Sequence, residues 1–371
     1  MSASHFSNLA GVRGLAAAIV LVSHVVQLHF LRFIGLGTPL HQISSLASEY
    51  AVVVFFILSG YLIAHTLEAN IERNGKLRLD VFAAARIARL YPPLLYAVGV
   101  SLVVFLIMDV FGLPGRAGPL SLPGDVYAAR EVVHLRASEI GGALTMMQGM
   151  LEINGPLWSL YMEAKLYVLY ACALALATGR HSLVLTAIFL AVAWSGQKFN
   201  PGFASYAAMW MTGAMAFYVW NVRSERRNRL LLCGGLIVLV VTVEGWRALQ
   251  SAEVPWSVVR EVLVSAAIAW ILFRMRLRVP VGKRLADCSY SLYATHFPVL
   301  LLAQSLLLST GSRSVEAAVG VAILSTAAAA LVALIGGNIE ANKSAVQNWL
   351  LVLMARIRTV LGQRDTCKTP Q

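Results

Sequence analysis

Long runs of apolar residues recur along the whole chain and are separated by short polar segments. A transmembrane helix needs about 20 mostly apolar residues, so this pattern predicts an all-α, polytopic membrane-embedded bundle of about ten helices. The predicted spans are residues 11–30, 51–67, 93–112, 156–178, 182–196, 203–220, 230–246, 256–273, 289–309 and 315–336. A further apolar stretch at 139–153 is short and rich in glycine and methionine, and we interpret it as re-entrant or interfacial.

The composition excludes most other classes of protein. Of the 371 residues, 58% are hydrophobic and only 13% are charged, whereas a soluble domain is about half apolar and a quarter charged. The polar residues are too few to cover the surface of a water-soluble globule of this size. Disordered, collagen-like, coiled-coil and small disulfide-rich proteins also have different compositions.

The positions of Lys and Arg predict which side of the membrane each loop faces. With the N-terminus in the cytoplasm, the inside segments carry 20 of the 30 basic residues, the outside segments 7 and the spans 3. Such an excess on one side is the positive-inside rule, and it predicts ten spans with both termini cytoplasmic. An eleventh span at 139–153 would move two basic loops outside. Topology and anionic lipid therefore account for most of the net charge of +12, rather than nucleic-acid binding.

We predict a membrane-embedded domain over residues 1–340 and a basic amphipathic cytoplasmic tail over 341–371. The first span lacks a basic stretch before it and a small-x-small site after it, so we expect it to stay as a helix. None of the cysteines is predicted to face an oxidising compartment, and we expect free thiols and no metal site. These cysteines are Cys172, Cys233, Cys288 and Cys367.

Two ionisable residues share the first predicted span. Arg13 and His24 are 11 residues apart, close to three helical turns, so they lie on one face and about 16 Å apart along the axis. Alone, Arg13 fits a snorkelling residue at a helix end and His24 fits a hydrogen-bonded histidine of a bundle. Together on one face, they indicate a route from a cationic site to a base, because ionisable groups within a membrane usually face the bundle interior.

A carboxylate lies within the fourth predicted span. Glu163 has Ser159 four residues before it and Tyr167 four residues after it, so the three share a helix face. An unpaired carboxylate in a bilayer is unfavourable, and we expect a cationic or hydrogen-bonding partner. His24 is predicted at a similar depth, which makes it a candidate for that partner. Lys165 is expected to point elsewhere.

A histidine and a proline lie close together in the ninth predicted span. We expect Pro298 to loosen the helix around His296 and to free a backbone carbonyl. A structural polar cluster is the alternative interpretation of His296.

Two arginines precede the third predicted span. Arg86 and Arg89 are spaced i, i+3, so one helical face presents two guanidinium groups, which suit phosphates. The positive-inside rule explains arginines at this place equally well. No Gly-rich phosphate loop or dinucleotide fingerprint is present, so ATP-driven and NAD-dependent mechanisms are unsupported.

Five short motifs, in order along the chain, resemble the bacterial acyltransferase family 3 of integral membrane proteins. They are residues 9–17 with His24, 55–63 with Ser59, 86–92, 157–163 with Trp158 and Ser159, and 289–298 with Ser291 and His296. Each motif alone is weak, whereas five in order on the predicted helices are specific.

The resemblance implies an O-acyltransferase of the bacterial inner membrane. Such an enzyme moves an acyl group, usually acetyl, to a hydroxyl of a cell-surface or secreted glycan. Family acceptors include lipopolysaccharide O-antigen, exopolysaccharide, peptidoglycan and lipo-chito-oligosaccharides. Acetyl-CoA is then a co-substrate, and no permanently bound cofactor is expected.

The resemblance also carries over to particular residues. Arg13 and His24 match the essential arginine–histidine pair of the family. Arg86 and Arg89 match its cytoplasmic RxxR element, and Glu163 matches the acidic residue after Trp-Ser-Leu. The chain departs from the family pattern in three places: Ala85 precedes Arg86 where a second arginine is frequent, Lys165 replaces a neutral polar residue, and Glu340-Ala341-Asn342 replaces an acid–proline pair.

These residues lead to a mechanistic hypothesis. Arg86, Arg89 and Arg13 hold the donor phosphates at the cytoplasmic face, and the acceptor glycan or glycolipid arrives from outside. His24 acts as general base on the acceptor hydroxyl or takes the acyl group itself, while Glu163 orients or charge-balances it. A polar cluster for substrate or structure comprises Ser59, Trp158, Ser159, Tyr167, Ser291 and His296.

The competing hypothesis is a transporter of an acyl donor or a glycolipid across the inner membrane. Buried charges, ten spans and a broken ninth helix fit that class as well. No pair of interrupted helices related as an inverted repeat is evident in the sequence.

Overall fold

The computed structural model describes residues 3–179, 182–200, 202–221, 256–274 and 283–360, together with Gly234 and Gly235. Within these ranges every regular element is helical and no strand is present, which confirms the all-α class. The predicted span 230–246, Cys233, Cys367 and the end of the tail lie outside the described residues. Cys172 and Cys288 are free thiols, as predicted.

The helices are α1 (Ala3–Val25), a π-helical turn (Val26–Phe30), α2 (Leu31–Ile34), α3 (Pro39–Asn74), α4 (Leu79–Val110), α5 (Ala137–Leu144), α6 (Leu157–Ala177), α7 (Leu183–Phe199), α8 (Phe203–Asn221), α9 (Trp256–Arg274), α10 (Lys283–Asp287), α11 (Ser289–Ser309), α12 (Val315–Ala341) and α13 (Lys343–Val360). Six described helices are long and apolar enough to cross a membrane: Asn8–Ile34, α3, α4, α6, α11 and α12. The total of ten spans and the cytoplasmic location of both ends stay predictions.

Two helices are much longer than the predicted spans 51–67 and 93–112. α3 begins at Pro39, where Thr38 is the N-cap and proline suits the first turn, and it ends at Gly75 in a left-handed conformation. α4 begins at Leu79 and continues through Pro92 and Pro93. The predicted loop 68–92 is therefore wrong, because only residues 75–78 separate the two helices.

α11 matches the predicted span 289–309 and is not interrupted by Pro298. A proline has no N–H for the carbonyl four residues before it, which here belongs to Ala294. That carbonyl accepts a hydrogen bond from the Asn154 side chain at 2.8 Å, and the same amide donates to the Ser101 hydroxyl at 3.1 Å. The freed carbonyl was thus predicted correctly, and its partner comes from another segment of the chain.

α3 and α8 approach each other so closely that a methyl group does not fit between them. A Cβ atom built on Gly60 would lie 2.0 Å from the Trp210 carbonyl oxygen, and one on Gly213 would lie 2.0 Å from that of Ile57. Small residues permit such contact between membrane helices. The contact fixes the position of Ser59, because the Trp210 indole donates a hydrogen bond to the Ser59 hydroxyl at 3.1 Å.

Residues 111–156, called here the outer segment, connect α4 to α6. α5, with eight residues, is too short to cross a membrane. The buried Lys165 side chain of α6 donates to the carbonyls of Met146 and Met147, each at 2.8 Å, and Tyr161 donates to the Gly149 carbonyl. The outer segment therefore folds back along α6. Lys165 contacts this segment rather than Glu163, which agrees with its expected direction.

The outer segment is also clamped to the start of α12. Arg313 donates to an Asp125 oxygen at 2.8 Å, Arg32 lies 4.0 Å from the same oxygen, and the Leu122 N–H donates to the other. Burial raises the pKa of Asp125, but the Leu122 N–H and the two arginines outweigh burial, so the pKa lies below its ordinary value.

We expect Asp125→Asn to loosen this clamp. A pKa below the unfolded value means that the ionised carboxylate stabilises the folded state above about pH 4, and this contribution is lost as the pH falls through the folded pKa. Exposed ion pairs contribute about 0.5–1 kcal/mol, so hydrogen exchange of the segment should accelerate about 2- to 5-fold at pH 7 and converge with wild type near pH 3. Glu131→Gln, at an exposed carboxylate of the same segment, is the control. Equal exchange at pH 7 would show that the clamp contributes nothing.

α13 forms the ordered part of the predicted tail and packs beside α4. Trp349, Leu353 and Ile357 of this helix are exposed apolar side chains, as expected for an amphipathic helix. Its location on the cytoplasmic membrane surface stays a prediction.

Candidate active site

A pair of histidines lies at the centre of the described bundle, and we call it the histidine pair. His24 of α1 and His296 of α11 approach to 2.7 Å between Nδ1 and Nε2, with ring centroids 5.0 Å apart. His296 is completely buried. Phe297 packs edge-on against His24, with ring centroids 5.1 Å apart.

The surroundings of the pair determine which nitrogen is the base. The Leu292 carbonyl lies 2.8 Å from His296 Nδ1 and can only accept, so this Nδ1 carries a proton. In a neutral His296 ring the Nε2 is then an acceptor, and His24 Nδ1 must donate to it. Burial in an apolar bundle favours neutral rings. The lone pair of His24 Nε2 is therefore left for a substrate, as in catalytic sites where a second group orients the base.

Glu163 does not contact His24, which corrects the sequence-based expectation. Its carboxylate accepts hydrogen bonds from the Ser59 hydroxyl, at 2.6 Å, and from the Tyr167 hydroxyl. Ser59 and Tyr167 are themselves 3.2 Å apart. The sequence predicted a similar depth for Glu163 and His24, but the carboxylate bonds Ser59 of α3 and Tyr167 of its own helix. His296, rather than Glu163, is the group that orients His24.

Glu163 instead faces a cavity that two of the three predicted arginines line. The cavity has a volume of about 50 Å³, and its polar lining includes Arg13, Arg89, Ser59, Ser159 and Glu163. Arg13 is held in place by α11, because its Nε donates to the Ser289 hydroxyl at 2.9 Å. Arg13 contacts Ser289 and His24 contacts His296, and these two residues of α11 are seven positions apart. The shared helix face inferred from the sequence is therefore present in the bundle.

Arg86 and Arg89 lie inside α4 rather than in a loop. Arg86 packs its guanidinium over the rings of Phe82 and Tyr167, and its buried Nε has no hydrogen-bond partner among the described residues. Arg89 lines the cavity with Arg13 and lies within electrostatic range of Glu163. Arg89 therefore faces this cavity, whereas Arg86 lines a second cavity of about 480 Å³. A buried donor group without a partner, such as the Arg86 Nε, is available to an anion.

Two more charged residues, Glu340 at the end of α12 and Lys343 at the start of α13, join the cluster formed by Arg13, Arg86, Arg89 and Glu163. Glu340 accepts from both the N–H and the hydroxyl of Ser291, at 2.7 and 2.6 Å. Lys343, the first residue of α13, lies within electrostatic range of Glu340, Arg13 and Arg89. Burial lowers the pKa of Lys343, and the neighbouring arginines lower it further. Four cations thus surround two carboxylates here in the described part of the chain, which favours a polyanionic ligand.

Of the remaining predicted residues, some line the cavity and others pack against aromatic side chains. Ser159 lies 2.7 Å from the Tyr293 hydroxyl, and both line the cavity. Tyr293 also approaches His296, with ring centroids 6.2 Å apart, and so connects the cavity to the histidine pair. Trp158 packs against Phe56 and Tyr206. Among the described residues no group of His, Cys, Asp or Glu has an arrangement that could hold a metal ion.

The sequence matches a known protein family. A family model described as an acyltransferase domain, of acyltransferase family 3, matches residues 6–336. The chain belongs to this family. The match begins before Arg13 and ends just before Glu340, so it covers both the histidine pair and most of the cluster of cations.

The chain is similar to two known proteins. It is 26% identical over 391 residues to Acyltransferase MdmB of Streptomyces mycarofaciens, over 96% of this chain and 95% of that protein. It is 32% identical over 187 residues to Protein 2 in picA locus of Rhizobium radiobacter, over 49% of this chain and 90% of that protein. No solved structure matches the chain.

The structure adds residues of this acyltransferase family 3 chain that the sequence did not single out. Tyr293 and Lys343 join the cluster, and Arg130 of the outer segment lies over the Phe297 ring that packs on His24. His29, on the π-helical turn after His24, bonds Gln304 and Ser325. A basic residue in a loop gives no sequence signal that it folds inward, and Arg130 was therefore counted only as part of the loop charge.

Proposed function

We propose that this membrane acyltransferase moves an acyl group from cytoplasmic acyl-CoA to a hydroxyl of a cell-surface or secreted glycan. The observation that carries the proposal is the arrangement along α1, where Arg13 faces a cationic cavity and His24 forms the histidine pair. CoA carries several phosphates, and the cations at the Arg13 end suit them. Membership of an acyltransferase family supports the reaction type.

In this mechanism Arg13, Arg86 and Arg89 bind the donor phosphates. Glu163 offsets part of the positive charge and is itself held by Ser59 and Tyr167. We take the acyl group to be acetyl, as the family resemblance implies.

The histidine pair supplies the base. His24 Nε2 takes the proton of the acceptor hydroxyl as its oxygen attacks the thioester carbonyl, and His296 holds the ring in the required tautomer. The CoA thiolate then leaves and takes the proton back from His24. Transfer of the acyl group to His24 itself is the alternative course, and a trapped acyl-enzyme would distinguish it.

We expect His296→Gln to slow acyl transfer by on the order of 10²-fold, because general-base catalysis contributes about 10²–10⁴ and depends on orientation. The measurement is the initial rate with labelled acyl-CoA, with protein level and thermal unfolding as controls. An unchanged rate would remove His296 from the mechanism and leave His24 without an orienting partner.

The function is tested with purified protein in nanodiscs or liposomes, labelled acetyl-CoA and the surface glycan of the source bacterium. Label in the sugar supports the proposal. Movement of the donor across a liposome without transfer would indicate the transporter instead. Mass spectrometry of surface glycans with and without the gene identifies the acceptor, and an inner-membrane fraction is where we expect the protein.

A further inference from the structure

Arg130 extends from the outer segment to Phe297, the neighbour of His296 whose ring packs against His24. Its guanidinium carbon lies 4.9 Å from the centroid of the Phe297 ring, and that same ring packs edge-on against His24. Arg130 is also within electrostatic range of His24. The cavity meets the histidine pair through Tyr293, which lies near His296, whereas Arg130 meets it through Phe297, which packs on His24.

The guanidinium of Arg130 is not committed to another partner. Its Nε is buried without a hydrogen-bond partner, and the group makes no hydrogen bond to any described residue beyond its contact with the Phe297 face. Tyr127 and Glu152 lie within electrostatic range, and the Glu152 carboxylate accepts the His134 N–H at 2.6 Å. Burial lowers the pKa of Arg130, yet a guanidinium stays protonated at neutral pH. A buried donor such as this Nε is costly unless a ligand uses it.

The backbone around Arg130 is fixed before any ligand arrives. The Arg130 carbonyl accepts the Leu120 N–H at 2.7 Å, and the Ala129 N–H donates to the Leu120 carbonyl at 3.2 Å. A Cβ atom on Gly155 would come within 3.3 Å of the Arg130 guanidinium, so the glycine leaves room for it. Donors held in place in this way are what a site needs in order to stabilise developing charge.

Acyl transfer creates negative charge beside the histidine pair. When the acceptor oxygen attacks, the carbonyl π electrons move onto the carbonyl oxygen, and they return when the C–S bond breaks and CoA leaves as the thiol. His24 carries the proton from the hydroxyl to the thiolate. The oxyanion of the tetrahedral intermediate needs hydrogen-bond donors, and the histidine pair provides none because His24 Nε2 is the base.

We propose that Arg130 is a catalytic residue that donates hydrogen bonds to this carbonyl oxygen as it becomes an oxyanion. The inference rests on the proposed acyl transfer and deepens it. It gives the outer segment a role in the chemistry, in addition to any role in receiving the acceptor.

The test compares Arg130→Met and Arg130→Lys with wild type in the acyl-transfer assay. We expect kcat to fall about 10²- to 10³-fold in Arg130→Met, with KM for donor and acceptor changed less than about 3-fold. Arg130→Lys should recover part of the rate. Arg136→Met, at an exposed arginine of the same segment, is the matched control and should keep the wild-type rate.

A second measurement separates catalysis from a merely structural role. Replacing the carbonyl oxygen of the acyl donor by sulfur weakens hydrogen bonds to that atom, so wild type should discriminate against the dithioester. Arg130→Met should lose most of that discrimination, and Arg130→Lys, which keeps a donor, should retain part of it. Oxygen-to-sulfur ratios equal to wild type in both variants would overturn the proposal, as would a rise in KM with unchanged kcat, which marks acceptor binding. Absence of transfer by the wild-type protein would instead overturn the proposed function.

Discussion

Replacement of His24 by alanine should abolish acyl transfer, with a fall of at least about 10³-fold in rate. His24 Nε2 is the base with an available lone pair at the histidine pair, since its other nitrogen and both nitrogens of His296 are engaged. His24→Gln keeps a polar side chain for His296 and cannot act as a base, so it should be equally inactive. The measurement is the initial rate of label transfer in nanodiscs.

A histidine on the next turn supplies the control. His29 is also buried and hydrogen-bonded, to Gln304 and Ser325, but it lies away from the pair. His29→Gln should therefore keep activity within a few-fold of wild type, although its stability should fall. If His24→Ala transfers at the wild-type rate while remaining folded and inserted, the mechanism is wrong.

Gly213→Ala should have a large effect on the fold. The added methyl would lie 2.0 Å from the Ile57 carbonyl oxygen, and a backbone atom cannot rotate away as a side chain can. The two helices must separate, at a cost of about 1–3 kcal/mol or more. We expect a drop in thermal unfolding temperature on the order of 5 °C and a loss of activity, because α8 carries the Trp210 that holds Ser59.

Gly99→Ala is the matched substitution with the opposite expected sign. It lies in α4, where an added methyl meets no atom within 4 Å, and alanine favours a helix by about 0.5–1 kcal/mol over glycine. Thermal unfolding in detergent should therefore show Gly99→Ala at or above wild type and Gly213→Ala below it. Equal midpoints for the two variants would mean that the α3–α8 contact does not hold the bundle together.

Features that depend on one helix alone were predicted well from the sequence. Spans 156–178 and 289–309 match α6 and α11 closely, because a run of apolar residues is a local property. The ends of α3 and α4 were placed wrongly, since the polar stretches 39–50, 68–74 and 79–92 still form helix beyond the apolar runs. Hydropathy measures the apolar part of a helix, whereas caps and turns decide its length.

The same distinction applies to the candidate site: relations within one helix followed from the sequence, and contacts between helices did not. The spacing of Arg13 and His24 placed them on one face of α1, and the freed carbonyl of Ala294 followed from Pro298. The partner of His24 did not follow, because His296 is 272 residues away and Glu163 had a similar predicted depth. Depth comes from position along a helix, but the choice of partner comes from the rotation of each helix about its axis.

The sequence by itself determined that this protein is a membrane helical bundle with a buried arginine and histidine on one helix face. Its ordered motifs also identified the family, which the match over residues 6–336 confirmed. Only the tertiary structure decided that His296 orients His24, that Glu163 serves the cation cluster, and that Arg130 folds inward. The physical reason is that these contacts join segments far apart in the chain, and close packing of helices and the outer segment sets their geometry.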